Sequence, residues 1–187
     1  GNLVEIEIQT VRMLRIIKNL RDFSRKDAAP RQPVELGHTA RNAVKYLQEQ
    51  INAHRVEVLW VGEGEALWIN GGAVRLEQVL VNLVSNAIEA IRVANQRTIT
   101  IALSKTDAQA IVKIEDSGPG LVDIDRVFEP FYTTKSGKND GGLGLGLSIA
   151  FGFVESFSGS LHASNTETGG ACFTLTLPLL EIGVQAP

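Results

Sequence analysis

The run from Arg75 to Ala90, RLEQVLVNLVSNAIEA, constrains the fold more than any other stretch of this chain. At 3.6 residues per turn it places Leu76, Leu80, Leu83 and Ala87 on one stripe, while Asn82, Asn86 and Glu89 share another. A helix so apolar on its remaining faces has to be buried, and buried amides need partners. Either Asn82 and Asn86 cap neighbouring loops or they face a ligand.

Downstream stand two glycine motifs. Asp116-Ser117-Gly118-Pro119-Gly120 ends a pair of alternating runs, 98–104 and 110–115, that read as a hairpin. Alone it is a turn motif, since Ser-Gly and Pro-Gly mark ordinary loops. Gly142, Gly144 and Gly146 alternate with Leu143, Leu145 and Leu147 and open a helix. One buried carboxylate with two glycines can meet a purine edge, and free N–H groups at a helix start can hold phosphates. Other nucleotide folds fit poorly. No G-x-x-x-x-G-K-[ST] occurs, the third glycine of G-x-G-x-x-G is missing, and a polar loop precedes the repeat where a dinucleotide fold needs a strand.

In this order the three elements resemble the N, G1 and G2 boxes of the ATPase superfamily that unites histidine kinases, gyrase, Hsp90 and MutL. Phe128-Glu129-Pro130-Phe131-Tyr132-Thr133-Thr134-Lys135 is similar to the F box of bacterial sensor histidine kinases. The resemblance covers residues 33–180, and its wording is that of the nitrogen-regulation and dicarboxylate-transport sensors. It implies ATP and Mg2+ as cofactors. Asp116 then accepts from the adenine amino group, Gly118 and Gly120 allow close approach, and Thr174 is a second base contact. A guanine carbonyl opposite Asp116 would leave two acceptors facing each other.

By the same resemblance Asn86 is the magnesium ligand, its neutral oxygen suiting a cation held mainly by phosphates and water. Asn82 stands where gyrase-like relatives carry a glutamate, and an amide orients water without deprotonating it. Glu89 departs from kinases that place lysine there. Lys135 either offsets phosphate charge or is solvated, in a segment from Thr133 to Gly142 that resembles the ATP lid, and Gly142, Leu143, Gly144, Leu145, Gly146 and Leu147 bind the nucleotide.

The family's phosphoacceptor box has no counterpart around His38, His54 or His162. The expected partners are therefore ATP or ADP, an acceptor histidine domain of the same protein, a response regulator, and a second copy in a full-length homodimer.

Composition sets the remaining bounds. The chain has 187 residues, 44% of them hydrophobic, enough for one domain with an appendage. A net charge of −3 gives no excess to neutralise nucleic acid. Cys172, the single cysteine, lies in a strand-like run and reads as a buried thiol in a reducing cytosol. No run is long enough to span a bilayer, so a cytoplasmic fragment without membrane contact is expected.

Leu3, Ile6, Thr10, Met13, Ile17 and Leu20 form a heptad seam in a long N-terminal helix. Arg-x-x-x-Ile-Ile-x-x-Leu-x-x-Phe-Ser-Arg, ending at Arg25, resembles the second helix of a kinase dimerisation domain. Residues 1–29 are assigned to that truncated helix and 30–187 to the catalytic domain. Its start inside a helical pattern points to an excised fragment. A helix from Val34 to Ile51, strands at 56–61 and 67–69, a helix from Leu147 to Ser158 closed by Gly159, and strands at 160–164 and 171–177 complete the pattern.

The expected class is α+β, a two-layer sandwich with a mixed, mostly antiparallel sheet. The expected function is transfer of the ATP γ-phosphate to a histidine absent from this chain. The alternatives are an ATP-hydrolysing switch of the gyrase or MutL kind, or a nucleotide-binding adaptor without catalysis.

Overall fold

The computed structural model describes residues 31–62, 64, 66–92, 94–134 and 144–180. The expected heptad helix, Lys135, Gly142 and Leu143 lie outside them. Along the chain run β1 (Gln32–Glu35), α1 (Leu36–Tyr46), α2 (Gln48–His54), β2 (Glu57–Val61), β3 (Trp68–Gly71), α3 (Ala73–Ala90), β4 (Thr98–Lys105), β5 (Gln109–Asp116), α4 (Gly146–Ser156), β6 (Ser160–Asn165) and β7 (Ala171–Pro178).

Strict alternation makes β4 and β5 two-faced. Ile99, Ile101 and Leu103 pair with Asp116, Ile114 and Val112 on one side, and Thr100 and Ala102 with Glu115 and Lys113 on the other. Their turn closes through Gln109 N donating to Thr106 Oγ1 at 3.2 Å. The sheet order is β2-β4-β5-β7-β6, antiparallel except for the parallel β2–β4 pair. Helices cover the face that carries Ile99, Ile114, Phe173 and Leu175. The α3 helix packs against both α1 and α4, burying Leu76, Val79, Leu80, Leu83, Val84, Ala87 and Ile88. Truncating one of these leucines to alanine costs about 2–5 kcal/mol. The expected two-layer α+β sandwich is what forms.

Two expectations needed correction. The helix expected over residues 34–51 is a strand and two helices. Val34 is buried in β1, which pairs with β3. The Glu35 carboxylate then caps α1 by accepting from Gly37 N at 2.9 Å and from His38 N. The break at Leu47 (φ −93°, ψ 8°) keeps Leu47 and Ile51 buried, as the spacing had required. At the end of α4 the left-handed residue is Ser158 (φ 60°), not Gly159. Gly159 is small for another reason, since a Cβ there would lie 2.5 Å from Thr176 O.

Candidate functional site

The β5 strand ends at Asp116 on the helix-facing side of the sheet, so its carboxylate is buried, 6% exposed. Oδ1 accepts from Gly118 N at 2.8 Å and from Ala171 N at 3.3 Å. Oδ2 meets no donor among the described residues. Burial pushes the carboxyl pKa up, and the bonds from Gly118 and Ala171 oppose that shift.

The glycines here are set by packing. A Cβ on Gly118 would lie 2.7 Å from Asp116 Oδ1 and 3.3 Å from Ala90 O, so the loop rests on the end of α3. Gly120 has φ +78°, with Gly169 O only 2.7 Å from where a Cβ would stand. Gly170, not singled out from the sequence, lies so close to the Asp116 carbonyl that any side chain would collide with it.

The α3 helix ties this loop to the glycine repeat. Asn82 Nδ2 donates to Gly146 O at 3.1 Å, linking α3 to the first residue of α4. Asn86 is half-buried one turn on, and its amide has no hydrogen bond among the described residues. One turn further, Ala90 meets Gly118. Asn82 to Ala90 spans about 12 Å of helix axis.

No side chain caps α4, and its first helical bond is Ile149 N to Leu145 O at 3.0 Å. The N–H groups of Gly146, Leu147 and Ser148 therefore have no helical acceptor and can meet an anion. Leu145 is buried and Leu147 is packed against the core, so these two leucines anchor the start of α4. Gly144 (φ +67°) accepts from Phe131 N at 3.0 Å, fastening the F box to the start of α4. Phe128 packs against Phe151 at a tilt and edge-on to Phe173, with centroids 5.2 and 6.3 Å apart.

Thr174 is not brought to the site. It pairs with Lys113, and Asp116 stands an odd number of residues along β5 from Lys113, on the opposite face. Glu89 faces Arg92 at 3.7 Å. His38 and His162 are exposed, on α1 and the outer sheet face, and His54 ends α2. Cys172 is buried, and that burial pushes its thiol up. No cluster of His, Cys, Asp or Glu fit to hold a metal occurs among the described residues. No helix among them is long and apolar enough to cross a membrane.

Residues 71–181 match the family described as histidine kinase-, DNA gyrase B-, and HSP90-like ATPase. The C4-dicarboxylate transport sensor protein DctS of Rhodobacter capsulatus is 32% identical over 91% of this chain and 26% of its own length. Sensor protein ChvG of Agrobacterium fabrum is 36% identical over 96% and 33%. The chain thus spans between a quarter and a third of these relatives. Among solved structures, the catalytic domain of histidine kinase ThkA matches with a TM-score of 0.69 at 28% identity, over 80% of this chain and 98% of that one. ThkA in complex with response regulator protein TrrA matches with 0.75 at 26%, over 92% and 48%.

Proposed function

Since this chain belongs to the histidine kinase-, DNA gyrase B-, and HSP90-like ATPase family, we propose that it binds Mg-ATP in the cleft along α3 and presents the γ-phosphate to a histidine of a dimerisation domain, for relay to a response regulator. The observation that carries this reading is the stripe Asn82, Asn86, Ala90, which joins a buried acceptor at one end to an uncapped helix start at the other.

In this reading Asp116 Oδ2 accepts from the adenine amino group, and the N–H groups opening α4 hold the phosphates. Asn86 supplies an amide oxygen to magnesium, whose role is to offset phosphate charge. Lys135 and Gly142 belong to the lid of the same site, and Leu143 to its glycine repeat. Residues 1–29 belong to the dimerisation helix, and the full protein is a homodimer. With Asp116 on the other sheet face, Thr174 is left out.

Hydrolysis is disfavoured. Asn82 already donates to Gly146 O, and no amide serves as a general base. The gyrase-like switch is the weaker reading for that reason.

A thermal melt with ATP, ADP, GTP and magnesium tests the proposal. At ligand about 100 times Kd the native state gains roughly 2.7 kcal/mol, and a melting temperature unmoved by saturating Mg-ATP refutes it. Radiolabelled ATP should leave the isolated chain unlabelled, because phosphoryl transfer needs a nucleophile held in line and none of the three histidines lies in the cleft.

A further inference from the structure

Asn165 ends β6 opposite Ala171, which puts it on the same sheet face as Asp116. It is exposed, yet both of its polar atoms are committed to one distant backbone position. Leu121 N donates to Asn165 Oδ1 at 2.6 Å, and Asn165 Nδ2 donates to Leu121 O at 3.0 Å. A backbone N–H only donates and a carbonyl only accepts, so this pair fixes which way the amide points. Between them Gly120 presses on the same side chain, its Cβ position 2.8 Å from Asn165 Oδ1.

The loop that reads the base is tied at both ends. Ser117 anchors its start, donating to Gln96 O at 2.8 Å and accepting from Thr98 N at 3.0 Å. Asn165 anchors its finish. We propose that Asn165 is a positioning residue for base recognition. By gripping Leu121 it holds Gly120 against Gly169 and keeps Gly118 on the carboxylate of Asp116, so that the purine meets a loop already ordered. Without that grip, nucleotide binding itself must order the loop, and affinity falls by that cost. The inference rests on the adenine-nucleotide reading above and adds a residue that never touches the nucleotide.

Because Asn165 is exposed, its removal leaves no buried group unpaired, so stability and binding separate. Mg-ATP and Mg-GTP are titrated calorimetrically into the wild-type chain, Asn165→Ala and Asn165→Asp, with melts of each protein alone. Asn165→Ala should lose about tenfold in ATP affinity and narrow the preference over GTP, with an almost unchanged nucleotide-free melt. Asn165→Asp retains the acceptor but sets a carboxylate against Leu121 O, so it should fail to rescue. Wild-type affinity and selectivity in Asn165→Ala would overturn the proposal, as would equal loss of both nucleotides in step with a lowered melt. A wild-type chain that binds no ATP overturns the adenine reading and this inference together; a wild-type chain that binds, beside an unaffected Asn165→Ala, overturns this inference alone.

Discussion

Around Asp116 the protein is largely tied to itself: Gly118 and Ala171 donate to Oδ1, Asn165 pairs with Leu121, and Gly120 and Gly170 let backbones meet closely, with Oδ2 left open. Around Asn86 it does the reverse. There an amide and the first N–H groups of a helix are left with little of the protein to bond to. A rigid heterocycle is recognised by a surface fixed beforehand. A flexible, hydrated polyphosphate is met by donors kept free until it arrives. The base end should therefore respond to substitution through packing, and the phosphate end through ligand chemistry.

Gly170→Ala should cause the largest change, because its Cβ meets backbone that has nowhere to swing; a loss of about 3 kcal/mol is expected in denaturant unfolding. A shift under about 0.5 kcal/mol, the range of ordinary surface changes, would show the base end to be less rigid than described. Next is Asp116→Asn, which removes a charge-assisted acceptor and should weaken ATP binding by about 10- to 100-fold while eroding discrimination against GTP. The same substitution should raise nucleotide-free stability near neutral pH. A buried carboxyl with a raised folded pKa favours the folded state in its protonated form, so its contribution falls as pH rises from the ordinary carboxylate range through the raised value. Melts of both proteins across acid pH should converge as pH drops; a constant gap would assign the effect to another cause.

Asn86→Ala ranks third. It should cost about tenfold in ATP affinity with magnesium and much less with EDTA, and equal losses in calorimetry would make Asn86 a structural amide. Gly146→Ala is the smallest and the sharpest contrast with Gly170. Its Cβ would stand 3.7 Å from Asn82, an ordinary contact, so stability should rise by about 0.5 kcal/mol. A loss comparable to that of Gly170→Ala would erase the distinction between the two ends.

Local periodicity made most of the framework readable. Helix α3 and the β4–β5 and β6–β7 hairpins follow from alternation or 3.6-residue spacing over many residues, signals that tertiary context rarely overturns. The short β1 strand is too brief to carry a period, and it borrows its pairing from β3 more than thirty residues away. The break at Leu47 has neither glycine nor proline to mark it. Thr174 was misplaced for a different reason. Strand parity is legible within one strand, but which residue shares a face with Asp116 depends on the β5–β7 register, and that is long-range. Asn165 and Gly170 sit in Asn-Thr-Glu-Thr-Gly-Gly, which reads as hairpin turn chemistry; nothing local distinguishes an asparagine that ends a strand from one that clamps a loop.

The β5–β7 seam also sets when the site comes into being as the chain folds. Each hairpin can form from near neighbours, whereas the bond from Ala171 N to Asp116 spans 55 residues and exists only once both hairpins have docked. Contacts of such sequence separation carry a loop-closure cost that the contacts within each hairpin do not. The Asp116 carboxylate thus lacks its second donor until β7 is in place, so a chain still short of β7 carries an unfinished base end.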